Sequence, residues 1–331
     1  MSWRTLAQLK TLGVKPDRIG GHTVDHLRLF AHGRTAETPL PHSAVGLSRH
    51  ALDSHLRRCA IEAGARLEID TIRTLSAGTA HGQSTSWTAN SIFLASGKHD
   101  IRGTSRPRLA NDPALGLRIR LPRSEARAEL ISSAIELHLF RGGYAGVVLQ
   151  EDETANICLA LRKSALSDVG GEPSAVLEQI ADQNVHFAAR LGSDWQQARV
   201  ETIGAVPYGW IAHDTTPGLF RLGDQAAVIP SLAGEGMSIA VASGIMAARY
   251  WCAGGSRSAP AFQRAFASRA FPPVQLAKVA RILAETRLGS ATALALARLS
   301  PSLVIDIAER CRIVPTSANT DRTTCAHARP C

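Results

Sequence analysis

The stretch RLGDQAAVIPSLAGEGMSIAVASG, residues 221–244, follows the short apolar run Gly218-Leu-Phe-Arg-Leu222. That order predicts a strand that delivers the Asp224 carboxylate into a turn. A loop carrying Pro230, Gly234 and Gly236 comes next, and then an apolar helix from about Met237 to Trp251. A carboxylate at the end of a parallel strand, followed by a glycine loop and a helix N-terminus, suits a polyhydroxylated and partly anionic ligand. In that arrangement Asp224 can accept from ligand hydroxyls while the unpaired N–H groups of the helix start face negative charge; on spacing alone the alternative is an ordinary strand-loop-helix turn. Gly234 and Gly236 let the backbone approach a flat ring without Cβ clashes. Gly234-Glu235-Gly236 is not a dinucleotide fingerprint, because its third small position is occupied by Ile239.

Upstream, Ser91-Ile-Phe-Leu-Ala95 is a second short apolar run, ending in Ser96-Gly97. It suits a strand buried on both faces whose carboxyl end opens into a turn. Ser48 starts the clearest early helix, with Leu52, Leu56, Cys59, Ala60 and Ala63 on one face. Gly64 stops that helix, and ARLEI (65–69) alternates as a strand. Ser2 caps a short helix carrying Trp3, Leu6 and Leu9 and closed by Gly13; residues 24–30 and 34–40 form a hairpin about His32-Gly33. The texture between about 105 and 215 is different: IELHLF, GGYAGVVL and NICLAL read as antiparallel strands, and 173–191 as helical. From Ala261 to Cys311 the pattern is helical, with breaks expected at Pro272-Pro273, Gly289 and Pro301. The fold class is therefore α/β, with an inserted antiparallel β-sheet domain and a helical C-terminal region. The expected divisions are 1–104, 105–216, 217–260 and 261–314, followed by a disordered polar tail, 315–331.

With 331 residues, 45% hydrophobic and 20% charged, the chain has the composition of a globular protein of about two domains. The net charge of +9 comes from arginines scattered along the chain rather than from one stripe with aromatic partners, which argues against nucleic-acid binding. The cysteines Cys59, Cys158, Cys252, Cys311, Cys325 and Cys331 include no C-x-x-C pair, as expected of reduced thiols in the cytoplasm. Cys325, His327 and Cys331 lack a fourth ligand, and the histidines from His22 to His55 lack metal-ligand spacing, so no metal site is expected. No stretch reaches the ~20 uncharged residues of a membrane span, while peripheral contact with a membrane surface stays open.

RLGDQAAVIPSLAGEGMSIAVASG resembles the GD motif of FAD-dependent oxidoreductases of the p-hydroxybenzoate hydroxylase and geranylgeranyl reductase superfamily. GLSRHALDSHLRRCAIEAGA (46–65) resembles the segment whose arginine reaches the FAD, and FLASGKHDIRG (93–103) the family's Ala-Thr-Gly turn, with Ser96 in place of Thr. GGYAGVV (142–148) and AVPYG (205–209) are similar to substrate-domain strands of the geranylgeranyl reductase-like members. The resemblance implies a glutathione-reductase-like, Rossmann-type FAD-binding fold. It implies Arg49 and Asp224 as FAD ligands, with Gly97 and the backbone of Gly234, Glu235, Gly236 and Met237 beside them, and NAD(P)H as electron donor. The implied activity is monooxygenation or double-bond reduction of a hydrophobic or aromatic small molecule. Tyr144, Tyr208 and, more weakly, His99 are the candidates for touching that substrate; no catalytic residue is singled out.

Members of this superfamily open with a βαβ unit whose G-x-G-x-x-G wraps the FAD pyrophosphate. No such motif occurs in the 331 residues. The expectation is an N-terminally truncated version of the fold, and the alternative function is a non-catalytic relative serving as a ligand-binding or interaction module.

Overall fold

His32 and Gly33 both adopt positive φ, +52° and +70°, and close the hairpin that starts the main sheet. The structure, a computed structural model, describes residues 1–14, 19–107 and 110–313. Helix α1 (Trp3–Thr11) precedes strands β1 (His22–Ala31) and β2 (Arg34–Gly46), and α2 (Arg49–Glu62) follows. A meander of β3 (Thr74–Ser76), β4 (Thr79–His81) and β5 (Ser86–Thr88) leads to β6 (Ile92–Leu94). Then come β7 (Ala114–Leu121), α3 (Glu125–Ile131), β8 (Ala134–Phe140), β9 (Gly143–Leu149) and β10 (Ala155–Arg162). Helices α4 (Lys163–Ser167), α5 (Pro173–Gln183) and α6 (Val185–Leu191) precede β11 (Glu201–Val206) and β12 (Leu219–Arg221). The chain closes with α7 (Gly236–Gly254), α8 (Ala259–Ala284), α9 (Arg287–Leu299) and α10 (Pro301–Arg310).

Seven strands form one sheet in the order β11-β7-β10-β9-β8-β1-β2. Its members were expected to be antiparallel and to come from the middle of the chain. The N-terminal hairpin joins them instead, and its β1 runs parallel to β8, so the sheet is mixed and draws on both sides of residue 104. Alternation explains the packing, since side chains of a strand point alternately to the two faces. Ile119, Leu121, Val147, Ile157 and Leu161 turn to one face and bury against Val176, Leu177 and Phe187 of α5 and α6. Leu29, Ala31, Leu139, Tyr144 and Ala160 turn to the other, where Leu294 and Ala297 of α9 cover part of them.

The β1–β8 contact is locked by a buried ion cluster. Glu136 has no exposed surface; it receives both Nε and Nη2 of Arg190 at 2.9 Å and Nη1 of Arg28 at 2.7 Å. His138 lies 3.3 Å from the same carboxylate and stacks on Phe30, 4.3 Å between centroids. Burial pushes the Glu136 carboxyl up, but the histidine and arginine contacts outweigh it and hold the group down at about 2.

Three expectations need correction. Ala65–Ile69 is not a strand: no strand pairs with it among the described residues, and Ile69 is 88% exposed. Helix α8 runs unbroken through Pro272 and Pro273. The acceptors those prolines leave unused lie one turn back at exposed Ser268 and Arg269, where water can replace the bond, while Phe266, Ala270, Val274 and Ala277 hold the helix down. Gly289 sits inside the first turn of α9, where its N–H is capped by Thr286; the real breaks are at Glu285-Thr286 and Ser300. The tail 315–331, with Cys325, His327 and Cys331, lies outside the described residues.

Because the Glu136 cluster is satisfied only as a whole, Glu136→Gln should destabilise the fold by about 3–5 kcal/mol, the cost of breaking a buried ion pair. The folded carboxyl is held below its ordinary value, so its contribution is complete above about pH 5 and is lost as pH falls toward about 2. Urea denaturation of the two proteins across that range should show the gap closing in acid.

Candidate functional site

Strands β6 and β12 pair in parallel, Ile92 opposite Leu219 and Leu94 opposite Arg221, so both deliver their carboxyl ends to the same side. The turn after β6 places Gly97 at φ +64°, and Ser96 Oγ donates to the carbonyl of His99 at 2.7 Å. The turn after β12 is a short 3-10 segment, Gly223–Gln225, with Gly223 at φ +55°.

Two side chains that sequence reasoning missed fasten these turns together. Gln225, fully buried, donates through Nε2 to the carbonyls of Gly97 and His99, both at 3.0 Å. Arg106, 3% exposed, donates to the Lys98 carbonyl (2.7 Å), the Asp224 carbonyl (2.9 Å) and the Asp100 carboxylate (2.7 Å). No periodicity flags Arg106 in the polar run Arg102-Gly-Thr-Ser-Arg106. Gln225 had a signal, its place directly after Gly-Asp.

Asp224 itself is half-buried, and its carboxylate makes no hydrogen bond or ion pair among the described residues. Burial pushes its carboxyl above the usual aspartate value, against the pull of Lys98, Arg106 and Arg49. Arg49, in the first turn of α2, is exposed and paired with Asp53 at 3.1 Å. Its helix start is held to the sheet by the Ser48 N–H donating to Glu151 at 2.8 Å. The Cys158 thiol of β10 is pushed up by burial, against the pull of Asn156, Arg118 and Lys98, the last of them in the loop after β6.

The glycine loop completes the other wall. Gly234 takes a left-handed conformation at φ +66°, and α7 starts behind Glu235 with no side-chain cap. A Cβ at Gly97, Gly234 or Gly236 would meet no atom within 4 Å, so all three glycines line open space. The Gly223 N–H donates to Ser243 Oγ at 2.9 Å and fixes α7 beneath the turn. The Glu235 and Met237 side chains serve the fold: Glu235 takes Arg312 at 2.7 Å, and Met237 packs beside Leu9, Leu47 and Leu52. Only the backbone there remains for a ligand.

Tyr144 and Tyr208 meet on a residue that the sequence did not single out. Their hydroxyls lie 2.6 and 2.8 Å from Ser231 Oγ, in the turn just before Gly234. Burial holds the Tyr144 phenol well above its ordinary value, so it stays protonated, and the Arg281 guanidinium covers the Tyr208 ring at 4.8 Å. Exposed His99 contributes its backbone to the fastening of the turns.

No protein-family profile and no curated protein sequence matches this chain. Solved structures do. The flavin-dependent brominase Bmp2 superposes with a TM-score of 0.70 at 14% identity, covering 94% of this chain and 83% of that one. PqsL of P. aeruginosa, solved in complex with 2-aminobenzoylacetate, gives 0.61 at 14% identity, with 87% and 86% covered. The tetracycline destructase Tet(55) gives 0.59 at 12% identity, with 95% and 86% covered. The fold is thus a mixed α/β fold similar to that of flavin-dependent enzymes.

A carboxyl raised by burial costs stability above its unfolded titration, and the cost is relieved as pH falls through its folded value. Asp224→Asn should therefore raise the melting temperature of the ligand-free protein at neutral pH by about 1–3 °C. The gain should vanish in acid, where Asp224 is itself neutral. Differential scanning calorimetry over a pH series reads both.

Proposed function

We propose that this chain is an FAD-dependent oxidoreductase, a monooxygenase or double-bond reductase, that acts on a hydrophobic or aromatic small molecule with NAD(P)H as electron donor. The observation that carries this function is the Asp224 carboxylate: half-buried, without an ion-pair partner, and set at a strand end between Gly97 and the open glycine loop. A desolvated carboxylate accepts strongly from hydroxyls such as those of a ribityl chain. Likeness to the folds of a brominase and a tetracycline destructase supports the same class. The finer placement, in the p-hydroxybenzoate hydroxylase and geranylgeranyl reductase superfamily, rests on the three ordered motifs.

The residues present fit the isoalloxazine and ribityl half of the cofactor. Asp224 would hold the ribityl hydroxyls, the backbone of Gly234–Met237 and the α7 start would lie beside the ring, and Arg49 would reach toward its phosphates. A bound flavin supplies hydride acceptance and, in monooxygenases, oxygen activation. The chain supplies position and proton control. Tyr144, Ser231 and Tyr208 carry three hydroxyl protons for two internal hydrogen bonds. One O–H is therefore left to point out of the chain, and a concerted shift lets a proton enter at one phenol and leave at the other.

A second function, a ligand-binding or interaction module without catalysis, is favoured by the parallel sheet, which has only β6 and β12 among the described residues. The sequence offers no G-x-G-x-x-G to the pyrophosphate. Titration with FAD followed by addition of NAD(P)H separates the two: bleaching of the flavin absorbance identifies the oxidoreductase, and saturable binding without bleaching identifies the module.

In that titration Asp224→Ala should lower flavin affinity on the order of ten- to a hundredfold, the equivalent of about 1.5–3 kcal/mol for a hydrogen bond to a charged group. Unchanged affinity would remove Asp224 from the site.

Tyr208→Phe and Tyr144→Phe should leave flavin content intact. Where the hydroxyl chain carries the slow proton, each should reduce turnover on the order of a hundredfold. A lower melting temperature with normal turnover per bound flavin would make both tyrosines packing residues only.

A further inference from the structure

The outer face of the C-terminal helices is apolar where it meets solvent. On α8 the exposed positions Phe271, Val279, Ile282 and Leu283 lie on one side of the helix, and Leu288 is exposed in the first turn of α9. Leu288 and Leu299, near the two ends of α9, are 80% and 84% exposed. Single exposed leucines are ordinary on a protein surface, but several large apolar side chains gathered at one end of α8 and along α9 mark a contact site.

Charge identifies the partner. Between residues 265 and 305 the sequence holds Arg269, Lys278, Arg281, Arg287 and Arg298 against one acid, Glu285. Glu285 does not reach the surface: it is 4% exposed and bound by Arg162 and Arg281. With Arg281 turned inward and spent on Glu285, the exposed cations along the stripe are Arg269, Lys278, Arg287 and Arg298, and the next exposed acid along the chain is Asp306 of α10. A second copy of the same face would bring like charges together, which disfavours self-association through it. Within residues 314–331 Val314 is the only large aliphatic residue, so that segment offers little apolar surface to the stripe. The pattern of apolar and cationic residues matches the boundary of an anionic bilayer, where acyl chains take the apolar side chains and headgroups take the arginines and lysine.

A second observation points the same way. Among the described residues no single helix is long and apolar enough to cross a membrane. Yet α9 and α10 together have the composition of a span and are bent by 115° at Ser300. Part of that apolar content, Leu294 and Ala297, packs on the sheet, and the bend leaves Leu288, Leu299 and Leu303 exposed.

We infer that the outer face of α8 and α9 docks the protein peripherally on membranes containing anionic lipid. The inference stands apart from the proposed flavin chemistry, although the two meet on α8: Arg281 lies over Tyr208, and the Lys278 stem approaches Gly209.

The test is flotation of the full chain with vesicles of phosphatidylcholine alone or mixed with phosphatidylglycerol. The protein should float with the mixed vesicles and be released by raised salt. Lys278→Glu and Arg287→Glu should each weaken binding by at least about fivefold, the scale of one surface cation. Leu288→Asp with Leu299→Asp should weaken it by more than about tenfold while the melting curve stays unchanged, since both side chains are already in solvent. Equal flotation with neutral vesicles, or none with either, overturns the inference. So does a concentration-dependent dimer in light scattering that the leucine variants abolish, which would assign the face to a second copy.

Discussion

The candidate site depends on one guanidinium. Arg106 spends its donors on two carbonyls from different turns, Lys98 and Asp224, and on the Asp100 carboxylate. Strands β6 and β12 contribute three residues each, and a two-stranded parallel pair of that length has little stability of its own. The two strand ends are joined by the Leu222 N–H to the Leu94 carbonyl and fixed further by side chains: Arg106 and Gln225 between the turns, and Ser243 of α7 accepting from the Gly223 N–H. Arg106 binds the backbone of Asp224 rather than its carboxylate. The turn is rigid, yet the acid remains available to a ligand.

Two buried carboxylates in this chain show the difference between holding a fold and waiting for a ligand. Glu136 is desolvated completely, and every lone pair has a donor in reach from Arg28, Arg190 or His138, so the group ionises more easily than in water. Asp224 is desolvated in part and has only cations at a distance, so it ionises less easily than in water. Burial acts in the same direction on both; the direct hydrogen bonds decide the sign. An acid that the fold leaves uncompensated is destabilising by itself, and a ligand that donates to it recovers that energy as affinity.

Much of the fold was legible in the sequence because it rests on local rules. The Ser48 cap of α2, the His32-Gly33 hairpin, the strands around Tyr144 and the helix after Gly236 all appear where caps, turns and alternation place them. Two of the errors share one cause, partnership at long range, while the breaks expected at Pro272-Pro273 and Gly289 fail for local reasons, exposed acceptors and the Thr286 cap. ARLEI has strand alternation but no neighbour to pair with, and β1 has a neighbour, β8, that lies more than a hundred residues away. In the site, the residues placed by a short motif, Asp224 and the glycines, were readable. Arg106 and Ser231 were not, because what gives them a role is the approach of a distant strand end or a pair of tyrosines. Gln225 is intermediate: its position was visible, but its acceptors, the Gly97 and His99 carbonyls, lie on another strand.

Helix α8 joins the site to the surface. On its inner side Arg281 stacks over Tyr208 and, with Arg162, neutralises Glu285, whose own carbonyl accepts from the Gly142 N–H at the start of the Tyr144 strand. On its outer side the same turns present Val279, Ile282 and Leu283 to solvent. Helix α8 stays helical through Pro272 and Pro273, although its ladder lacks the two bonds to the Ser268 and Arg269 carbonyls there. Arg281 thus connects the turns that carry the outer stripe with the Tyr208–Ser231–Tyr144 hydroxyls through a single helix. That helix cannot shift without straining the Glu285 contacts to Arg162 and Gly142, which tie it to the sheet.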